Sequence, residues 1–322
     1  MQLFFDLLIA IIIIITAFPA VILLYSRKIR KNCWEYKHKK SSLTISIILL
    51  FFTALTVYGS FVEPNFLIVN KYNIDLPNIN EPIKIVLISD LQAGKYKQTN
   101  WTKKVVNKIL TLTPDLIFIG GDQIDNENYN FIELSYLEPF KKLSNQIPTY
   151  AINGNHEYGV SCFYGINEKC SQTGDMSAET KNVFEKLNIK YLINQTEKIT
   201  INSSSFYLFG GDEYWAKKLD FSNLKNRKEN IPTIALIHNP SFILDNHPFF
   251  DLVLSGHTHG GQIRLPFVGP IGRVDNILPS KYYQGVQELS DNTKLLVTSG
   301  VGETGVRARL FNPPEIVLIT IK

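Results

Sequence analysis

Hydrophobic positions along the 322-residue chain follow two patterns. Near the start they are continuous. Residues 3–25, LFFDLLIAIIIIITAFPAVILLY, are apolar except for Asp6, and residues 43–62, LTISIILLFFTALTVYGSFV, carry no charge. Each run has the roughly 20 residues that cross a bilayer as an α-helix, so the pattern predicts a transmembrane hairpin over residues 1–62. A secretory signal peptide fits the first run poorly, because MQLFFD lacks a basic start and the run is longer than the usual apolar segment. From residue 83 the pattern changes to short aliphatic and β-branched runs: 83–90, 115–122, 149–156, 205–212, 233–240, 251–258, 294–302 and 315–322. Between the first three lie TNWTKKVVNKILTLT and NFIELSYLEPFKKLSN, with apolar residues at helical spacing. Continuous apolar strands covered on both faces by helices predict an α/β layered core over residues 83–322. Residues 63–82, with Pro64, Pro77, Pro82 and several Asn, read as a linker leading off the membrane.

Charge separates the same two parts. The loop between the apolar runs, residues 26–42, holds seven bases (Arg27, Lys28, Arg30, Lys31, Lys37, Lys39, Lys40) against Glu35. A short loop this basic stays in the cytoplasm, which places the N-terminus and everything after residue 62 on the other side. Of 33 Lys and Arg and 29 Asp and Glu, seven and two fall within residues 1–62, leaving 26 and 27 for the rest. The second part is near neutral, without the basic footprint of a nucleic-acid-binding domain.

The three cysteines add one point. Cys33 lies in the basic loop, while Cys162 and Cys170 stand eight positions apart in SCFYGINEKC. In an oxidising compartment that pair can close a disulfide, and in the cytosol it stays reduced. Asn100-Trp-Thr, Asn194-Gln-Thr and Asn202-Ser-Ser match the glycosylation pattern but carry little weight in an Asn-rich chain.

The chemistry sits at the strand ends. Six of the eight runs finish in polar residues: Asp90, Asp122, Asn155 with His156, Asp212, His238, and His257 with His259. Any one of them reads equally well as an ordinary turn or cap residue. Together they point to the crevice beyond the carboxyl ends of α/β strands, where ligands bind. Carboxylate, amide and imidazole without cysteine suit Mn2+, Mg2+, Fe2+ or Zn2+. Two such ions about 3.5–4 Å apart polarise a phosphoryl group, generate hydroxide at neutral pH and stabilise the leaving oxygen. A phosphate ester is the natural substrate.

Five blocks, DLQ (90–92), GGDQID (120–125), GNHE (154–157), HNP (238–240) and GHTHGG (256–261), resemble the calcineurin-like metallophosphoesterases. The resemblance covers residues 83–322 and implies a four-layer α-β-β-α sandwich around a two-metal site. One ion would be held by Asp90, the residue at 92, Asp122 and His259, and the second by Asp122 as bridge, Asn155, His238 and His257. His156 would protonate the leaving oxygen or stabilise transition-state charge, with Glu157 orienting it by accepting its second N–H. GHTHGGQIRLP (256–266) and residues 298–321 are similar to the membrane-associated branch of the family, some of whose members cleave UDP-2,3-diacylglucosamine in lipid A synthesis. Gln262, Arg264 and Arg309 would then position substrate or shape the rim, and structural pairing in loops explains them equally well.

Gln92 departs from the family's histidine. An amide oxygen is a weaker, neutral ligand acceptable to Mg2+ or Mn2+. Three readings stay open: direct ligation, a water held between Gln92 and the ion, or a weak first site. The sequence therefore predicts a membrane-anchored phosphoesterase acting on a phosphate ester or pyrophosphate of a lipid or envelope molecule. Two Mn2+ or Mg2+ ions are expected, with Fe2+ or Zn2+ as alternatives at the second site. Rival readings are a non-catalytic membrane-tethered metal-binding scaffold, which has no need of His156, and a nucleic-acid phosphodiesterase, which the neutral charge disfavours. UDP-2,3-diacylglucosamine, made on the cytoplasmic side, is the substrate only if the domain is cytoplasmic.

Overall fold

The computed structural model describes residues 2–322 except 127–128, 163–169, 225–226, 229 and 274. At the N-terminus α1 (Gln2–Ile29) and α3 (Lys39–Val57) run past one another, joined through α2 (Trp34–Lys37). Both are long and apolar enough to cross a membrane. Small residues stand at their contact: Ala20, Ser42 and Ser46 are buried there, as in helix pairs that pack closely in lipid. Ser42 Oγ donates to the Leu23 carbonyl at 3.3 Å and Thr53 Oγ1 to Thr16 Oγ1 at 2.8 Å. Since such an interhelical bond contributes only about 0.6 kcal/mol, close backbone approach does more than the hydroxyls. The second helix continues as a π-turn, Tyr58–Val62, and a 3₁₀ turn, Glu63–Asn65.

The segment read as a linker contains a strand. β1 (Ile68–Ile74) pairs in parallel with the last strand of the chain, Ile68 opposite Glu315 through Ile74 opposite Ile321. The sequence hid it because an edge strand is buried on few positions, and Asn and Lys alternate with its apolar residues.

The domain is two six-stranded mixed sheets face to face. In chain order the strands are β2 (Ile83–Ile88), β3 (Leu116–Ile119), β4 (Thr149–Ala151), a small hairpin β5 (Val160–Cys162) and β6 (Cys170–Gln172), then β7 (Lys190–Tyr191), β8 (Gln195–Ile201) and β9 (Ser204–Gly210). They continue with β10 (Thr233–Leu236), β11 (Leu252–Ser255), a two-stranded finger β12 (Arg264–Leu265) and β13 (Gly269–Pro270), then β14 (Gly285–Glu288), β15 (Lys294–Val297) and β16 (Glu315–Ile321). One sheet has the order β1-β16-β2-β3-β4-β7 and the other β14-β15-β11-β10-β9-β8. All eight strands expected from the sequence are present. Their runs are apolar throughout because both faces are covered. In β2 the residues Ile83, Ile85 and Leu87 enter the core between the sheets, while Val86 and Ile88 face the outer core.

That outer core rests on α4 (Thr99–Leu110), through Val105 and Ile109, and on α7 (Ser177–Lys186), through Phe184. The stretch 131–144, periodic enough to suggest one helix, breaks into α5 (Ile132–Ser135), a 3₁₀ turn around Pro139 and α6 (Lys141–Ser144). The sandwich is the one the motifs implied, with one difference. Among the described residues, the outer core across the second sheet, Phe209, Phe242 and Phe250 among it, is covered by loops and short 3₁₀ turns such as Pro240–Leu244 rather than α-helices. Cys162 and Cys170, across the β5–β6 pair, form a disulfide.

Candidate functional site

Parallel strands β2, β3, β4, β10 and β11 end at one edge of the sandwich, and the residue just beyond each end is where the chemistry collects. Asp90 follows β2, Asp122 follows β3, Asn155 and His156 follow β4, His238 follows β10, and His257 and His259 follow β11. The loops approach so closely that side chains are excluded. A Cβ on Gly154 would lie 2.2 Å from Asp122 Oδ1, and one on Gly256 2.4 Å from Asp90 Oδ2. Asp90, Gln92, Asp122, His257 and His259 all have φ between 48° and 69°. Left-handed backbone at five non-glycine residues is strain of the kind folds keep at functional sites.

Two groups of donors result. Asp122, His238 and His257 place ligand atoms within 4.8 Å of one another, as do Asp90, Asp122 and His259. Asp122 belongs to both, so either group, or both with a shared carboxylate, could hold a divalent cation. In the first group every donor is aimed by a further bond. His238 Nδ1 meets the Gly120 carbonyl at 2.7 Å, which turns Nε2 towards Asp122 Oδ2 at 3.2 Å. Asn155 Nδ2 donates to the Val160 carbonyl at 2.8 Å, leaving Oδ1 2.9 Å from His257 Nδ1 and 3.2 Å from His238 Nε2. His257 is held from behind by Asn239 at 3.2 Å and by the edge of Trp215, ring centres 4.3 Å apart.

The second group fits a cation for a different reason. Among the described residues, neither ring nitrogen of His259 has a hydrogen-bond partner, and neither has Gln92 Oε1, although both residues are buried. Buried polar atoms are rarely left so. Nε2 of His259 stands 3.3 Å from Asp90 Oδ1. Gln92 Nε2 donates to Asp122 Oδ2 at 3.0 Å, so Gln92 lies against the shared carboxylate with its oxygen unused.

Electrostatics follow from packing. Burial pushes the Asp90 carboxyl up to about 6, with the nearby His238 ring pulling the other way. At Asp122 burial acts upward too, but His238 and His156 outweigh it and hold the carboxyl well below the usual range. Burial keeps the His257 and His259 imidazoles well below theirs, hence neutral and able to ligate.

His156 sits at the open side, its side chain 20% exposed. Its backbone N–H donates to Asp122 Oδ1 at 2.9 Å, its Nδ1 meets the Asp125 carbonyl at 2.5 Å, and its Nε2 lies 3.4 Å from Thr304 Oγ1. Glu157 does not orient it. The Glu157 carboxylate accepts backbone N–H groups of Asp122, Gln123 and Gly154, at 2.9, 2.9 and 2.7 Å, and clamps the GGDQ loop to the GNHE loop.

Arg309 is not a substrate residue either. It is wholly buried, and its guanidinium donates to the carbonyls of Ser299, Gly302 and Asn312. Gln262 ties its amide to Thr304 at both ends, 2.9 and 2.8 Å, bracing the rim on which Thr304 meets His156. Arg264 is half-buried with one N–H on the Gly260 carbonyl. Asp212, a strand-end carboxylate, is taken up by Asn153 and Tyr158 and belongs to the support of the site. Trp215 and Asn239 were not foreseen; Asn239 stands inside the HNP block and Trp215 three residues after Asp212, with no periodicity to mark them.

The two long N-terminal helices reach this rim. Arg309 N–H donates to the Gly59 carbonyl at 2.8 Å, and the buried Glu63 carboxylate accepts the N–H groups of Phe311 and Asn312. Asn312 Nδ2 in turn donates to the His259 carbonyl at 2.7 Å. At the start of α1, Asp6 accepts from Tyr96 and lies 3.5 Å from Lys95 Nζ, on the loop that follows Gln92.

The comparisons agree with this geometry. Residues 83–261 match the family model for calcineurin-like phosphoesterases. A metallophosphoesterase of Campylobacter jejuni is 29% identical over 87% of this chain and 69% of its own length. Phosphodiesterase YaeI of Escherichia coli is 28% identical over 74% and 82%. A transmembrane protein with a metallophosphoesterase domain from Bos taurus is 26% identical over 89% and 64%. The chain belongs to the calcineurin-like phosphoesterase family, and is a hydrolase of that divalent-metal-dependent family.

Proposed function

We propose that the chain is a membrane-anchored, two-metal phosphoesterase that hydrolyses a phosphate ester or pyrophosphate of a lipid or envelope molecule, with its domain on the extracytoplasmic face. The observation that carries the chemistry is the convergence of two three-residue donor groups on the single carboxylate of Asp122. Asp90, Gln92 and His259 complete one half, and Asn155, His238 and His257 the other. When bound, divalent ions of the Mn2+ or Mg2+ type supply Lewis acidity towards the phosphoryl oxygens and ease attack by water. The chain does the rest. Asp122, kept ionised, balances cationic charge on both sides, and the left-handed loops hold the donors where a phosphoryl group would lie. His156 is the proton donor: with Nδ1–H on the Asp125 carbonyl, Nε2–H points into the open side of the site and delivers its proton to the leaving oxygen. Burial lowers its pKa, but the charges of Asp122 and Asp125 and the bond to the Asp125 carbonyl outweigh it and raise the pKa above the ordinary imidazole value, favouring the protonated ring.

Orientation rests on two observations: the basic loop between the helices, and the Cys162–Cys170 disulfide, a bond that persists in oxidising compartments. Both disfavour a nucleotide-linked lipid made on the cytoplasmic side. Full-length protein in detergent, assayed with aryl phosphate mono- and diesters under Mn2+, Mg2+, Zn2+ and Fe2+, should show metal-dependent turnover that His156→Ala abolishes. Equal, negligible rates under every metal, unchanged by His156→Ala, would overturn the reading. A topology reporter fused after residue 322 tests the orientation separately, and a cytoplasmic signal would return the nucleotide-linked lipid to first place.

A further inference from the structure

Five residues after His259 the chain leaves the site as the β12–β13 finger, and its tip is the most exposed apolar feature among the described residues of the domain. Phe267 is wholly exposed, and Val268 and Ile271 are 72% and 55% exposed. The tip is a tight turn, with Val268 N–H donating to the Leu265 carbonyl at 3.2 Å and Phe267 at φ 67°. A bulky residue in left-handed backbone, fully exposed among the described residues beside Val268 and Ile271, makes an apolar patch of the kind that partners or membranes cover.

The base of the finger lies beside the hairpin. Ile263 bridges to Leu310, Arg264 N–H donates to the Leu310 carbonyl at 2.9 Å, and the Leu310 side chain lies 3.6 Å from where a Cβ on Gly59 would be. Gly59 is in the last turns of the second membrane helix. The finger is thus rooted at the level where that helix leaves the bilayer. The chemistry around that level is interfacial: the Arg307 guanidinium covers the rings of Phe61 and Tyr96, at 5.4 and 4.4 Å, and Phe311 beside the root is 54% exposed. From Arg264 to Phe267 the chain spans at most about 10 Å, matching the 5–10 Å by which interfacial segments enter the headgroup and acyl boundary.

We propose that the finger, through Phe267 and Val268, inserts into the same bilayer surface from which the hairpin emerges, and that the site therefore opens against the membrane and takes a phosphoester carried by a lipid. The proposal rests on the anchored reading given above and deepens it. The rim that contains His156, Thr304 and Gln262 is tied to the finger on one side and to Gly59 and Glu63 on the other, so inserting the tip fixes the mouth of the site at headgroup height.

The test uses the full chain in nanodiscs, with Cys33→Ser and one environment-sensitive fluorophore on Val268→Cys. Matched labels go on Phe51→Cys, inside the hairpin, and on Ala178→Cys, on exposed α7. Lipid-borne nitroxides should quench the labels at 268 and 51, and aqueous iodide the one at 178. In parallel, Phe267→Ser with Val268→Ser should lower hydrolysis of a vesicle-embedded phosphodiester about tenfold and leave that of a water-soluble aryl phosphodiester unchanged. Quenching at 268 by iodide alone, or shielding from both agents by a second copy or another protein, overturns insertion, as does an unchanged vesicle rate. Loss of nitroxide quenching at 51 instead sinks the anchored reading, so the two failures are distinguishable.

Discussion

The two halves of the candidate metal site share Asp122 and differ in how their other donors are held. Around Asn155, His238 and His257 each side chain is fixed from behind by the Val160 carbonyl, the Gly120 carbonyl and Asn239. Around Asp90, Gln92 and His259 the support is partial. The His257 N–H donates to the Asp90 carboxylate, the Gln92 amide to Asp122, and Asn312 to the His259 carbonyl, but among the described residues the His259 imidazole and the Gln92 oxygen have no hydrogen-bond partner. Preorganised donors need little rearrangement when an ion arrives, whereas an imidazole and an amide oxygen without such bonds must settle into place then. The half built on Asn155 should bind its ion tightly, and the half built on Gln92 more weakly and with broader metal tolerance.

The most severe way to break this comparison is to remove what the halves share. Asp122→Ala should cost both ions and lower kcat/KM by about 10⁴-fold or more, several kcal/mol of transition-state stabilisation, with metal content by elemental analysis falling towards zero. His156→Ala leaves both halves intact. It should reduce kcat by about 10²- to 10³-fold with metal content unchanged, and a variant that also loses its ions would show that His156 holds the site rather than protonating a leaving group.

Gln92→His sharpens the difference between halves. An imidazole in place of the amide should tighten one of the two ions by about 10- to 100-fold and shift preference towards Zn2+, read by competitive metal titration. If neither affinity nor preference moves, Gln92 does not touch the ion. Smallest is Glu63→Ala, far from the chemistry. Its carboxylate holds Asn312, which holds the His259 backbone, so the weaker ion should loosen by about threefold while the tighter one stays put. Equal loosening of both would mean a general loss of stability instead.

Most of the site could be read from residue order because the signal is local. A strand end is marked by where an apolar run stops, and GNHE or GHTH names its donors within four residues. Glu157 was misread for the same reason. Adjacency to His156 suggested a hydrogen bond, yet its backbone partners at 122 and 123 are more than thirty positions away and carry no side-chain signature. Arg309 lies near functional residues in sequence and in space. Its burial against three carbonyls, which decides its role, depends on how loops 299–302 and 312 fold over it.

By itself the sequence determined the two long apolar helices, the strands of the sandwich and which candidate donors stand at the strand ends, because apolar periodicity and strand-end residues are set over short stretches of chain. Tertiary structure alone decided that residues 68–74 complete a sheet, which half of the site is braced, and that the hairpin docks on the rim beside an apolar finger. Those features are made of backbone hydrogen bonds and close approaches between segments up to some 250 residues apart, such as Glu63 with Asn312. A peptide N–H or carbonyl has no letter in the sequence, so where it finds its partner is fixed only when the chain folds.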